Sequence, residues 1–263
     1  MLPTPSTSHV SFSTIYEPAE DSFLLLDTLS SPSEIKWLAS RFHPAAHFPA
    51  PLVLEVGTGS GVVIAFLAAN AREIFGRDVL AMGVDVNEDA CGATAVTVRK
   101  ALGETGSGSV FLGSVCADLL GAIGSEVVDV LLFNPPYVPT AELPVLPQRD
   151  QMVEDRYRHE SRLLELSYAG GVDGMETTLR LLVELPRVLS ERGVAYVLLC
   201  AQNKPEEVKK AIPMLLTGEW VVDTVGDSGR KAGWEKLVII RIARSQRKFV
   251  SFISLIARTL LIS

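Results

Sequence analysis

From Leu52 onward, short runs of consecutive apolar residues alternate with longer stretches whose apolar positions recur at helical spacing. "LVLEVG" (52–57) is the first run, and a helical pattern over 60–75 follows it. "VLAMGVD" (79–85) leads into a helix over 88–102, "SVFLGSV" (109–115) is the third run, and "VVDVLLFN" (127–134) the fourth. A helix over 174–190 precedes "GVAYVLLC" (193–200). "WVVDTVG" (220–226) and "KLVIIRI" (236–242) close the series, with only the turn-like "GRKAGW" between them. Strands that are apolar at nearly every position are covered on both faces. Their alternation with helices predicts an α/β fold with a parallel, doubly wound sheet. The last two strands, lacking an intervening helix, predict an antiparallel hairpin at one edge. The segments 103–109 and 138–172 read as loops, and the mixed-charge run "QRDQMVEDRYRHESR" in the second reads as solvated surface or a protein-substrate contact.

No internal repeat or shift in composition divides the chain, so residues 1–244 read as a single domain. With 263 residues, 48% of them hydrophobic, the chain can bury a substantial core. A net charge of −7 argues against a protein that holds nucleic acid mainly through its phosphates. The cysteines, Cys91, Cys116 and Cys200, are odd in number and widely spaced, which fits reduced thiols in the cytoplasm or nucleus. His43 and His47 have helical spacing, but Pro44 lies between them, and no metal site is expected. The N-terminus lacks the basic start and apolar run of a secretory signal. The segment 245–263 is more apolar than a solvent-facing tail. Phe249, Phe252, Ile253, Ile256 and Leu260 recur at helical spacing, leaving a docked helix, an extension without a role and a membrane-surface anchor all open.

The candidate chemistry sits at the strand ends. "EVGTGSG" (55–61) places Gly57, Thr58, Gly59 and Gly61 at a strand-to-helix turn, where backbone can approach a ligand at the helix N-terminus. The spacing is G-x-G-x-G, with Val62 where a dinucleotide fingerprint has its third glycine or alanine. Glu55, just before the glycines, suits a ligand with a positively charged end. Asp85, followed by Val86, ends the second strand and can accept both hydroxyls of a ribose, with a helix-entry role as the alternative and Asn87 as a competing cap. Asp118, followed by Leu119, can accept from an adenine amine or cap a helix. Asn134, Pro135, Pro136 and Tyr137 end the fourth strand, in the crevice where doubly wound sheets bind ligands.

These motifs, in this order, resemble an S-adenosylmethionine-dependent methyltransferase of the seven-strand class acting on a planar nitrogen. In that reading the Asn134 side-chain oxygen and the Pro135 carbonyl accept the nitrogen's two protons, both prolines hold the acceptors fixed, and Tyr137 stacks on the flat substrate. The segment "YEPAEDSFLLLDTL" (16–29), by itself a turn into an amphipathic helix, makes the resemblance narrower. With "AGGVDG" (169–174) and "RKAGWEKL" (230–237) it is similar to the eukaryotic and archaeal HemK-like release-factor glutamine methyltransferases.

The resemblance implies strand order 3-2-1-4-5-7-6 and a cofactor-covering segment containing Tyr16, Pro18, Glu20 and Asp21. It implies methylation of the Gly-Gly-Gln glutamine of the class I release factor, as catalytic subunit of a heterodimer with a small zinc-binding activator. The third strand lies at an edge in that order, so Val110 and Leu112 are candidates for the partner face. Bacterial relatives carry an extra N-terminal helical domain, and the short segment before the glycine turn favours the eukaryotic form. Adenine-N6 methylation of nucleic acid, histone-lysine methylation and a non-catalytic cofactor-binding scaffold are the alternatives.

Overall fold

The computed structural model describes residues 2–44, 49–145, 156–229 and 236–245. His47, most of the mixed-charge run, the "RKAGW" part of the hairpin turn and the tail beyond Ser245 lie outside the described residues. Two N-terminal helices, α1 (Glu20–Leu29) and α2 (Pro32–Arg41), precede β1 (Leu52–Val56), α3 (Val62–Ala69) and α4 (Ala71–Phe75). Next come β2 (Leu80–Asp85), α5 (Glu88–Thr105), β3 (Val110–Cys116) and β4 (Val128–Phe133). Then α6 (Arg156–Tyr168), α7 (Glu176–Val188), β5 (Leu189–Cys200), α8 (Pro205–Leu215), β6 (Trp220–Asp227) and β7 (Leu237–Arg244) complete the chain.

The seven strands form one sheet in the order β3-β2-β1-β4-β5-β7-β6, as the resemblance implied. Strands β1 to β5 are parallel, and β7 runs antiparallel to both β5 and β6. Alternate residues of the central strands feed two cores. Val194, Tyr196 and Leu198 face α1 to α5, while Ala195, Val197 and Leu199 face α7 and α8. That double coverage is why these strands read as unbroken apolar runs.

Four local features depart from the sequence reading. The helix expected over 60–75 starts at Val62, behind Gly61 in the left-handed region, and breaks at Asn70. The Asn70 amide donates to the Phe66 carbonyl at 2.9 Å, a local bond that competes with helix propagation. Strand β5 begins at Leu189 because Ser190 and Arg192 bond Asp129 of β4 at 2.7 and 2.8 Å, pinning three polar residues in extended form. Helix α6 lies within the stretch expected to be loop. Helices α2 and α8 are additional to those read from the sequence, each starting with a proline, and Ser31 caps α2 by accepting from the Glu34 N–H.

Only glycine fits at position 61. Its φ is +77°, and a Cβ there would lie 2.7 Å from the Thr94 Cα of α5. The turn between β1 and α3 is therefore clamped against α5, which fixes the floor of the site.

Candidate active site

The C-terminal ends of β1, β2 and β4 open into a cavity of about 190 Å³. The glycine turn forms its floor. Gly57 and Gly59 have φ of +68° and +50°, and no atom of the described residues lies within 4 Å of where a Cβ on Gly59 would stand. The turn is held by the Val84 carbonyl, which accepts from Gly57 N–H at 2.8 Å, and by Asp85, whose Oδ2 accepts from Gly59 N–H at 2.9 Å. The second Asp85 oxygen accepts from Asn87 N–H at 2.9 Å. The α5 cap is Asn87, whose Oδ1 accepts from Asp89 N–H, so Asp85 is left to the site. Burial pushes the Asp85 carboxyl up, opposed by the amides of Gly59, Asn87 and Val86.

Glu55 is 3% exposed and faces the same cavity from β1. Its Oε2 accepts from the Ile64 N–H at 3.0 Å, at the start of α3. Burial pushes this carboxyl well above its usual range; the Ile64 amide opposes the shift and the Asp85 charge adds to it. Asp21, also buried, reaches the cavity from α1 and accepts from the Ser22 N–H and hydroxyl. Asp118 stands at the mouth, paired with Arg180 of α7. The helix-cap alternative for Asp118 falls, because a turn and no helix follows it. The three buried carboxyl groups, Asp21, Glu55 and Asp85, make the chamber acidic and suited to a cation.

Asn134 closes the wall at the end of β4. Its Oδ1 is buried and has no hydrogen-bond partner among the described residues. A buried acceptor left unmade costs about 1–3 kcal/mol, so the site holds it ready for a donor that arrives with a ligand. Pro136 lines the cavity beside it.

The structure thus gathers Tyr16, Asp21, Glu55, Gly57, Thr58 and Gly59 around one space, together with Asp85, Val86, Asp118, Leu119, Asn134 and Pro136. Pro18, Glu20, Gly61 and Pro135 are outside its wall. Tyr137 is outside it too. Its partly buried ring packs against the core on the α1–α5 side of the sheet, and its hydroxyl donates to Asp21 Oδ2 at 3.4 Å, tying the motif to the N-terminal segment. Several wall residues were not read from the sequence. Thr14 and Ile15 belong to a strap fastened by the Asn87 amide, which donates to the Thr14 carbonyl at 2.7 Å. Leu163, Leu166 and Ser167 come from α6, whose mixed-charge sequence masked its helical period, and Arg180 is marked by no motif.

No protein-family model matches the chain. Full-length relatives do. The chain is 34% identical over 253 residues to human methyltransferase HEMK2, covering 92% of this chain and 97% of that protein. It is 33% identical to the eRF1 methyltransferase catalytic subunit mtq2 of Schizosaccharomyces pombe, covering 93% and 96%. The chain belongs to the HEMK2 methyltransferase family. Its fold is similar to that of a chain in the E. cuniculi Mtq2–Trm112 complex, at a TM-score of 0.50 and 24% identity, covering 88% of this chain and 99% of that one.

As a HEMK2-family methyltransferase, the protein uses S-adenosylmethionine as methyl donor. The wall fits that group on its own chemistry. The open side of Gly59 admits a ligand against backbone, the Glu55 and Asp21 carboxylates suit its cationic amino-acid end, and Asp85 has lone pairs to spare for a ribose.

Proposed function

We propose that this chain is the catalytic subunit of a protein N5-glutamine methyltransferase. Its substrate would be the Gly-Gly-Gln glutamine of the class I translation release factor. The observation that carries this reading is the buried Asn134 Oδ1, without a partner among the described residues, in the wall of an acidic cavity. An amide nitrogen is a poor nucleophile because its lone pair is delocalised into the carbonyl. Two acceptors facing its two N–H groups restrain the nitrogen and make it more electron-rich. Asn134 Oδ1 supplies one, and the Pro135 carbonyl is assigned the other. The prolines fix φ and carry no N–H, so these acceptors need little reorganisation. S-adenosylmethionine supplies an electrophilic methyl group when bound. Tyr137, its ring packed on the core, takes a positioning role here in place of the stacking expected from the sequence.

The named relatives support the substrate, since one is an eRF1 methyltransferase subunit. The partner is supported by the Mtq2–Trm112 complex and by one of the sheet's two edges. Strand β3 is that edge, and Val110 and Leu112 on it are 51% and 54% exposed. An exposed apolar edge strand is an aggregation hazard unless another chain pairs with it. A small zinc-binding activator extending the sheet at β3 would cover both residues. Co-expression of the chain with such an activator, followed by transfer of labelled methyl to purified release factor, tests the reading. Transfer by the complex is expected; cofactor binding with no transfer would remove the release factor as substrate.

Glu55 gives the cofactor site a pH signature. A cation held beside it favours the ionised carboxylate, so binding releases a proton and tightens as pH rises. Below the carboxyl's own value, each pH unit is expected to weaken binding about tenfold. Glu55→Gln should abolish the proton release, read by calorimetry in buffers of different ionisation enthalpy. Without ligand the linkage has the opposite consequence. A carboxyl raised by folding lowers stability as pH climbs from the unfolded carboxylate range toward its folded value.

A further inference from the structure

The Asn-Pro-Pro segment lacks the donors that would tie it into a sheet, because neither proline has an N–H. Its anchorage must therefore come from carbonyl groups and from the residues next along the chain. Three segments meet at this point. The Tyr137 carbonyl accepts from Asn203 Nδ2 at 3.1 Å, and more loosely from Cys200 Sγ at 3.9 Å. Asn203 Nδ2 also donates to the Asp173 carbonyl at 2.9 Å and approaches that of Gly174 at 3.4 Å. Its Oδ1 accepts from the Cys200 N–H at 2.7 Å, which anchors the amide to the end of β5. The side chain is 2% exposed and uses both ends.

The loop 169–174 is pressed onto the same backbone. Val138 N–H donates to the Tyr168 carbonyl at 2.9 Å, and Gly170 N–H returns a bond to Val138 at 2.8 Å. A Cβ on Gly170 would collide with the Pro136 carbonyl, and one on Gly174 with the Tyr137 carbonyl. Two residues beside Asn203 hold strained conformations: Asp173 and Lys204 have φ of +54° and +51°. Left-handed backbone at residues other than glycine persists only where the surroundings over-determine it, and such strain clusters at functional sites.

We infer that Asn203 is a positioning residue for methyl transfer: its side-chain amide locks the Tyr137 carbonyl to the 169–174 loop and thereby aims the Asn134 and Pro135 acceptors. The inference rests on the proposed function, but part of its test does not. Asn203 itself is absent from the cavity wall and acts through the backbone of the motif. A displacement of about 1 Å in a reacting geometry lowers a rate about 100-fold, so a loosened tether should appear in turnover and leave cofactor affinity nearly alone.

The test uses the full chain with Asn203→Asp, which keeps the shape and the acceptor for Cys200 while removing both N–H donors. Asn203→Ser, shorter and uncharged, serves if the first variant does not fold. Two readouts are taken below the melting temperature. Hydrogen exchange over residues 131–140 is expected to accelerate at least about tenfold against unchanged exchange in β1 and β2. Turnover of the complex on the release factor is expected to fall about 10- to 100-fold, with cofactor affinity within about threefold. Exchange unchanged in either folded variant overturns the tether, whatever the assay gives. Exchange accelerated with turnover intact overturns the positioning role. If the wild-type complex transfers no methyl, the functional reading fails, and the exchange result still decides whether Asn203 holds the motif.

Discussion

Replacing Asn134 by alanine is expected to lower methyl transfer about a thousandfold while the chain still folds and binds S-adenosylmethionine within about tenfold of the native affinity. The change removes a buried acceptor that has no hydrogen-bond partner among the described residues. Truncation even relieves an unsatisfied group, and the melting temperature should hold or rise slightly. A mainly structural asparagine would behave in the opposite way, losing stability and activity together. Turnover and calorimetric binding, measured on the same preparation, separate the two. A variant that keeps even a tenth of the native rate would show that Asn134 does not hold the reacting nitrogen.

Arg241→Met is expected to destabilise the protein by about 3–5 kcal/mol, the usual cost of leaving a buried charge without its partner. Arg241 lies on β7 beneath α2, opposite Tyr196 in β5 and Asp223 in β6. Its guanidinium donates to both Glu34 oxygens, at 2.7 and 2.9 Å, and to Asp223 at 2.8 Å. It also stacks 4.1 Å from the centre of the Trp37 ring. The Tyr196 hydroxyl donates to Glu34 at 2.7 Å, and burial pushes that phenol well above its usual range. Without Arg241, Glu34, 3% exposed in the native chain, loses both guanidinium bonds and keeps the one from the Tyr196 hydroxyl. Thermal melting should fall by about 10 °C for a domain of this size. Adding Glu34→Leu should restore most of the loss, since removing both partners of a buried pair is far cheaper than removing one. A single variant that melts as the native protein does would mean the cluster contributes nothing to stability.

The sheet was legible because its physics is written in period and burial. Strands covered on both faces leave unbroken apolar runs, and strand ends facing a ligand leave Glu55, Asp85 and Asn134 where such runs stop. The less legible parts depended on side chains that reach across the fold. Ser190 and Arg192 look like loop residues until Asp129 is found beside them, and Asn70 shortens a helix by bonding its own backbone. Helix α2 did leave a signal, Ser31 and Pro32 followed by Glu34, an N-cap with its first turn. Within the site, motif residues were visible and buttresses were not. Asn203 and Arg180 belong to no motif, and their places follow only from contacts across the fold, to Tyr137 and Asp173 for the first and to Asp118 for the second. Tyr137 was visible as part of the motif, yet its ring turned into the core and its hydroxyl toward Asp21.

The central claim is that the Asn134 site methylates the side-chain amide of one glutamine in the release factor. The measurement that tests it most directly is mass spectrometry of that factor after incubation with the co-expressed complex and S-adenosylmethionine. The factor would be used with its Gly-Gly-Gln glutamine intact or replaced by another residue. A single added methyl on the intact glutamine side chain, absent from the replaced factor and absent with Asn134→Ala, is the expected result. Methyl addition that persists after the glutamine is replaced, or that falls on lysine or on an adenine amine when histone or nucleic acid is supplied instead, would contradict it.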